Sequence, residues 1–180
     1  MSHSTMVELE RYPFSRDALN DLRDNAFAAG NWPLVYVLSD EKRRRAYIGE
    51  TTDTLTRMST HLKHDEKQLL TAVHLITSEY FNKSATLDVE SLLIKYMAAD
   101  GKYTLLNGNL GLADHNYYQR GALYEEVFRE VWNRLIAKGV VSRTLDHLDN
   151  SDVFKYSPYK SLSFDQRQGL LTIMHELLNP

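Results

Sequence analysis

The hydrophobic pattern of this chain predicts three strands. Residues 34–38 read Leu-Val-Tyr-Val-Leu, an uninterrupted β-type run that is typical of a strand buried on both faces. The polar stretch 39–44 predicts a turn, and residues 45–49 predict the return strand of a hairpin. Residues 71–77 alternate enough to indicate a third strand.

Helical patterns flank these strands. Five helices are predicted, near residues 15–29, 53–63, 86–99 and 119–137, and from Ser163 toward Pro180. Thr51-Thr52-Asp53 offers cap residues to the second, and Asp100-Gly101 ends the third. Residues 146–158 are predicted to be irregular.

Bulk composition narrows the class of protein. No run of about eighteen apolar residues is present, so no transmembrane helix is expected. The acidic first thirty residues lack an apolar signal core, and the absence of cysteine excludes disulfides and thiolate zinc sites. A net charge of −3 argues against a protein that coats nucleic acid, although a catalytic groove needs only local positive charge. These properties predict a soluble cytoplasmic domain.

One predicted helix carries a carboxylate on its apolar side. At about 100° per residue, Asp88, Ser91 and Lys95 share one stripe, which is predicted to face solvent. Glu90 lies on the opposite side among apolar neighbours, where a carboxylate needs a cation or hydrogen-bond donors. Glu90 is therefore either a metal ligand or a structural residue, in an ion pair or with its carboxylate extended to the edge of the apolar face, and the helical pattern by itself favours the structural role.

The helix over residues 53–63 has a basic face. Arg57, His61 and His64 stand at i, i+4 and i+7, away from the apolar stripe. An arginine there can bind a phosphate bidentately, and a histidine one turn away can relay a proton near neutral pH. A solvated basic face explains the same spacing, and is the simpler interpretation of this helix alone.

The hairpin adds two tyrosines and a basic turn. Tyr36 lies in mid-strand and Tyr47 begins the return strand, so both hydroxyls can reach the same side. Gly49 would permit close approach of a substrate to the backbone, or only a bend. Arg45 closes a basic run that could contact nucleic-acid backbone or simply be solvated. No nucleotide-binding glycine loop and no multi-histidine metal spacing is present in the sequence.

In this order and spacing, the residues from about Trp32 to Asn109 resemble a GIY-YIG nuclease domain. The resemblance implies an α/β (α+β) fold with a small three-stranded antiparallel sheet flanked by helices, here with additional C-terminal helices. One departure is clear, because Leu34 and Val35 replace the glycine and isoleucine of the first motif.

The resemblance also implies a site and a chemistry. Its catalytic residues would be Tyr36, Tyr47, Arg57, His61 and Asn107, and Glu90 would bind one Mg²⁺ or Mn²⁺ ion. The chemistry of the side chains adds Gly49, Arg45 and His64 as candidate substrate contacts. The implied reaction is metal-dependent hydrolysis of nucleic-acid phosphodiesters, with DNA the favoured partner and no membrane involved.

Further stretches resemble GIY-YIG domains that are fused ahead of a helicase-like P-loop ATPase. They are Tyr47–Asp53, Phe81–Ser84, Leu106–Asn109, Asp114–Tyr118, Lys155–Lys160 and Leu162–Gln166. The expected organisation is a helical lead (1–30), a nuclease-like core (31–118), a helical extension (119–150), and a linker (151–180) that starts an ATPase domain.

Two other functions remain open at this stage. One is a module with the same fold that binds nucleic acid without cutting it. The other is an interaction domain that docks a partner through the 119–137 helix, which would leave Val127, Val131 and Leu135 exposed as an apolar patch.

Overall fold

A computed structural model describes residues 6–108, 124–152 and 154 of the 180-residue chain. Its strands are β1 (Glu8–Pro13), β2 (Leu34–Asp40), β3 (Arg45–Thr51), β4 (Ala72–Thr77) and β5 (Thr104–Leu105). Its helices are α1 (Ala26–Ala29), α2 (Thr54–His61), α3 (Lys83–Asp100), α4 (Tyr124–Ala137) and α5 (Leu145–Asp149). Short 3₁₀ helices cover Asp17–Leu19, Asp21–Asp24 and Lys67–Leu69.

The strands form one mixed sheet in the order β1-β4-β2-β3-β5. The hairpin of β2 and β3 and the third strand, β4, are confirmed, and they form the antiparallel centre. The expectation of only three antiparallel strands is wrong, because β1 adds to β4 antiparallel and β5 adds to β3 parallel. The fold is therefore α+β around five strands.

The ends of the described chain differ from the sequence-based prediction. The single helix expected over 15–29 is two 3₁₀ helices followed by α1, whose cap is the Asn25 side chain, accepting from the Ala28 amide at 3.0 Å. Part of the segment predicted as irregular is helix α5, which Thr144 caps and whose Leu148 is buried. The helix expected from Ser163 lies outside the described residues.

Side chains alternate across the sheet into two cores. On one face, Leu34, Tyr36 and Leu38 of β2 pack with Met58 of α2, and this side is called the α2 face. On the other, Val35 and Val37 pack with α3 and α4, and this side is called the α3 face. Every residue of β2 is buried, so the prediction of a doubly covered strand is confirmed.

Helices α3 and α4 bury more than their patterns indicate. Asp88 and Ser91 of α3 are buried, so the prediction that they face solvent is wrong, and α3 packs against α5 as well as against the sheet. Val127, Val131 and Leu135 of α4 are buried as well, so this helix leaves no exposed apolar patch at these positions. Within the described ranges no helix has the length and apolar character needed to cross a membrane.

Candidate active site

The hairpin register places both motif tyrosines on the α2 face. Tyr36 pairs with Gly49 across β2 and β3, and Leu38 pairs with Tyr47. The two tyrosines are thus diagonal neighbours, with ring centroids 6.3 Å apart. The prediction that both hydroxyls reach the same side of the hairpin is therefore confirmed.

Gly49 makes room for Tyr36. A Cβ at position 49 would overlap the phenol oxygen and Cζ of Tyr36 and lie 3.1 Å from its Cε1. The space beside this glycine is filled by the phenol instead of being open to substrate. Gly49 thus has a structural role in this arrangement, because any larger residue would displace the tyrosine.

Helix α2 supplies two further groups to the same place. Asp53 caps the helix by accepting from the Thr56 amide at 3.1 Å. Arg57 Nε donates to the Tyr36 hydroxyl oxygen at 3.1 Å, and that hydroxyl lies 2.7 Å from His61 Nε2. With Arg57 donating to the oxygen, the hydroxyl is free to donate to His61 Nε2, and this arrangement goes with an imidazole that carries its proton on Nδ1.

Burial sets the protonation of this trio. Desolvation lowers the pKa of His61 to about 3, and the positive charges of Lys67 and Arg57 add to the effect. Burial raises the pKa of Tyr36 well above its usual value, against the opposing hydrogen bond from Arg57. The lowered pKa of His61 and the raised pKa of Tyr36 leave a neutral imidazole beside a protonated phenol at neutral pH.

Tyr47 forms the partly exposed wall of the site. Its ring meets the His61 ring edge-on, with centroids 5.1 Å apart, and Lys67 Nζ lies 3.6 Å from its centroid. Burial raises the pKa of Tyr47, and the charge of Arg57 opposes that shift. Burial and then Arg57 lower the pKa of Lys67. The sequence analysis missed Lys67, because it lies in a 3₁₀ helix beyond the periodic stretch.

Glu90 approaches from α3 and has a second carboxylate near it. Glu90 is partly buried, and burial followed by the charge of Glu50 raises its pKa to about 7. Glu50 contacts Lys83 Nζ at 2.5 and 2.6 Å and accepts from Thr86 Oγ1 at 3.3 Å. The sequence analysis missed Glu50, although its position directly after Gly49 places it on the opposite face of β3 from that glycine.

Asn107 acts on the backbone of β3. Its Oδ1 accepts from the Ile48 amide at 3.0 Å, and its Nδ2 donates to the Ile48 carbonyl at 2.8 Å. The side chain thus imitates a strand partner beyond the two residues of β5. Asn107 therefore fixes the backbone between Tyr47 and Gly49. Its hydrogen bonds go to Ile48 and not to the tyrosine hydroxyls.

Arg45 and His64 lie at the rim. Arg45 is exposed and shares a face of β3 with Tyr47, with its Nη1 3.8 Å from Glu66. His64 is also exposed, and its Nδ1 accepts from the Glu66 amide at 3.3 Å. Both therefore flank the buried trio without belonging to it.

Few groups of the site can bind a metal ion. Across the residues that the structure describes, no three histidine, aspartate or glutamate side chains cluster closely enough to form a metal cage. The donors available are the carboxylates of Glu90 and Glu50, which suit a hard cation that keeps most of its waters. The arrangement brings together an anion-binding arginine, two phenols, a neutral imidazole and two carboxylates.

Comparison with known families gives one match. Residues 33–103 match the GIY-YIG catalytic domain, whose family is a nuclease family. This stretch contains the tyrosines, Arg57, His61 and Glu90, whereas Asn107 lies just beyond it. Neither the curated proteins nor the solved structures that were compared with the chain include a match.

Proposed function

We propose that this chain is a metal-dependent endonuclease that hydrolyses nucleic-acid phosphodiesters, with DNA as the favoured substrate. The observation that carries the proposal is the hydrogen-bonded trio of Tyr36, Arg57 and His61, next to Tyr47 and Glu90, inside a GIY-YIG catalytic domain. The products would bear 5′-phosphate and 3′-hydroxyl ends, as the family resemblance implies.

The carboxylates fit a single Mg²⁺ or Mn²⁺ ion. Burial and then the negative charge of Glu50 raise the pKa of Glu90, and a divalent cation would offset both effects. Glu90 would hold the ion, since Glu50 is already paired with Lys83. When bound, the ion would supply positive charge to the phosphoryl oxygens and lower the pKa of a coordinated water.

Arg57 would bind the reacting phosphate. Its Nε is engaged by Tyr36, which orients the guanidinium, and the hydroxyl of Tyr47 lies beside it, so a bound phosphate would meet both groups. The residue is exposed, so a phosphate can reach it from solvent. Its fixed charge would stabilise the negative charge that develops on the phosphoryl oxygens in the transition state.

The phenol and the imidazole would move the proton. Tyr36 is fully buried, and its oxygen lies between Arg57 Nε and His61 Nε2, where the attacking water would have to approach it. The oxygen would then accept a proton from the attacking water while its own proton passes to His61 Nε2. Tyr47 would donate a hydrogen bond near the phosphate, and Asn107 would hold the strand that carries it.

A cleavage assay tests the proposal. Plasmid and single-stranded DNA are incubated with Mg²⁺ or Mn²⁺, or with EDTA, using the native chain, Glu90→Gln, and Glu8→Gln as an exposed control on β1. We expect cutting that requires metal, falls at least about 100-fold in Glu90→Gln and persists in Glu8→Gln. Equal cutting by Glu90→Gln would refute the role of Glu90. Binding without cutting by the native chain would identify a non-cleaving module instead.

The proposal includes a longer parent protein. The chain would contain a lead (1–30), the nuclease core (31–118), a helical extension (119–150) and a linker (151–180) to a helicase-like ATPase, acting in the cytoplasm. The support is the resemblance of the stretches after Phe81, several of which lie outside the described residues. A parent reading frame that stops at Pro180 would contradict it.

A further inference from the structure

A second pocket lies away from the tyrosine site. It has a volume of about 510 Å³ and is bordered by Arg11 of β1, His74 of β4, Tyr103 and Lys138. His74 pairs with Arg11 across the sheet and with Val37 of β2. Because Val37 belongs to the core under α3, this pocket opens on the α3 face, whereas Tyr36 and His61 lie on the α2 face. These four residues define the basic pocket.

The basic pocket contains a buried polar group that lacks a partner. His74 is only 4% exposed, and its Nδ1 makes no hydrogen bond to any residue that the structure describes. A buried nitrogen without a partner costs free energy, so such groups in folded proteins call for an explanation. A ligand that reaches this pocket can provide the missing partner.

Positive charge from three parts of the chain converges on the same imidazole. Arg11, Lys138 and Lys102 all act electrostatically on His74, and they belong to β1, the end of α4 and the turn after α3. Lys102 is already engaged by the Gly139 carbonyl and by Glu41. Arg11 and Lys138 are exposed and have no ion-pair partner within the described part of the chain.

The acidic groups at the pocket do not cancel this charge. Asp40 is held by Arg43, through the Arg43 amide at 2.6 Å and its Nη1 at 3.3 Å. Glu41 is mostly exposed and lies 4.0 Å from Lys102. Arg11 and Lys138 are therefore left as two cations beside a buried imidazole, which is a combination suited to an oxyanion with several acceptor oxygens.

We propose that the basic pocket binds a phosphate group through Arg11, Lys138 and His74. The phosphate can belong to a free nucleotide or to the backbone of a nucleic-acid strand, since both present negatively charged non-bridging oxygens. The pocket is separate from Glu90 and the tyrosines, so its occupation does not depend on cleavage.

Binding without catalysis tests this pocket. The native chain is titrated in EDTA with sodium phosphate, with AMP and with a short single-stranded DNA, while NMR follows the assigned His74 imidazole. We expect a saturable shift of His74 with at least one of these ligands. A His74 shift with phosphate and AMP but not with DNA would identify a soluble ligand. A shift with DNA but not with phosphate or AMP would identify a nucleic-acid strand.

Matched variants decide whether the pocket is responsible. Arg11→Ala/Lys138→Ala removes the two exposed cations, and Arg16→Ala/Arg23→Ala removes two exposed cations from the 3₁₀ region. We expect the first double variant to bind at least about tenfold more weakly, since charge-assisted hydrogen bonds are lost. The control variant should bind within about twofold of the native chain. Because it loses the same two positive charges, it corrects for the change in net charge.

Two results would overturn the proposal. One is the absence of a His74 shift with all three ligands. The other is equal weakening in the two double variants, which would indicate unspecific attraction. Thermal unfolding of both variants shows that they are folded, and cleavage by the native chain with metal is scored separately, so failure of this pocket and failure of the nuclease proposal remain distinguishable.

Discussion

The two faces of the sheet each bury a histidine, and they provide for it differently. On the α2 face, His61 Nε2 is hydrogen-bonded to the Tyr36 hydroxyl at 2.7 Å, and its ring lies against the ring of Tyr47. On the α3 face, His74 has an Nδ1 that lacks a hydrogen-bond partner among the described residues and has cations near it. Burial is the first cause of the lowered pKa in both cases, to about 3 and about 4.

His61 belongs to a hydrogen-bonded group that is already assembled, whereas the hydrogen bonding of His74 is incomplete among the described residues. Desolvation neutralises both imidazoles, but on the α2 face the imidazole is hydrogen-bonded to a phenol that Arg57 also contacts, whereas His74 Nδ1 has no such bond among the described residues. Preorganised hydrogen bonds cost little reorganisation during a reaction, which favours chemistry on that face. The α3 face instead leaves polar capacity unused, which favours recruitment of a ligand.

The largest effect should come from disturbing the α2 face through the backbone. Gly49→Ala would force its Cβ into the Tyr36 hydroxyl, whereas Gly108→Ala meets open space. We expect Gly49→Ala to lose at least about 100-fold in cleavage and about 1–3 kcal/mol in the free energy of unfolding. Plasmid cleavage and urea denaturation measure the two effects. Wild-type behaviour of Gly49→Ala would show that the strand can shift to accommodate the methyl group.

Removing one hydroxyl from each face should sharpen the contrast. Tyr36→Phe deprives both Arg57 and His61 of their partner, and we expect cleavage to fall by about 10²–10⁴-fold. Tyr96→Phe removes a hydroxyl that donates to Asp149 at 2.7 Å under α3. That control should lose about 1 kcal/mol of stability and retain its cleavage rate. If both variants lost cleavage equally, the loss would be explained by reduced stability, and a chemical role for the Tyr36 hydroxyl would be contradicted.

The two histidines should make folding weaker in acid. Their folded pKa values lie below the unfolded value of 6.5, so the unfolded chain binds more protons between about pH 4 and 6.5. Stability therefore rises with pH through this window, and at pH 5 each histidine lowers it by about 2 kcal/mol at most. The raised pKa of Glu90 acts with the opposite sign over part of the same range.

A comparison of variants isolates the histidine contribution. Urea denaturation at pH 7 and pH 5 is carried out for the native chain and for His61→Gln. The change in stability between the two pH values should be smaller in His61→Gln by up to about 2 kcal/mol. Because Glu90 is present in both proteins, its contribution cancels. Identical pH dependence would mean that His61 titrates normally in the folded chain.

The smallest effect should come from the strand that supports the site. Asn107→Ala removes two hydrogen bonds to Ile48, and we expect a loss of about 1–2 kcal/mol. Asn150→Ala is a suitable control, because its Nδ2 donates to the Asp146 carbonyl in α5 at 2.8 Å, away from the sheet. Denaturation and cleavage are measured on both. A larger fall in cleavage for Asn150→Ala would contradict a supporting role for Asn107.

The elements with strong local patterns were predictable from sequence. The run around Tyr36 gave β2, the polar turn after it gave the hairpin, and the caps at Asp53 and Gly101 framed α2 and α3. Register places Tyr36 and Tyr47 on one face of the hairpin, and the helical period places Arg57 and His61 on one face of α2. That the two faces meet was implied by the family resemblance and not by the spacing.

Other features depend on contacts between distant segments. Strands β1 and β5 are short or polar and become strands only by pairing with β4 and β3. Lys67 reaches Tyr47 from outside any periodic stretch, and Asp88 is buried although its helical position resembles a surface one. The orphaned nitrogen of His74 has no sequence signature, because it arises from what the neighbouring elements fail to provide.

Asn107 also gives the protein a limited chemical lifetime. It is followed by Gly108, and asparagine before glycine is the pairing most prone to spontaneous loss of its side-chain amide. The resulting carboxylate could still accept from the Ile48 amide, but it would face the Ile48 carbonyl with no hydrogen to donate. Ageing at this one residue would loosen the strand between Tyr47 and Gly49 in stored samples, although their length would stay the same and their mass would hardly change.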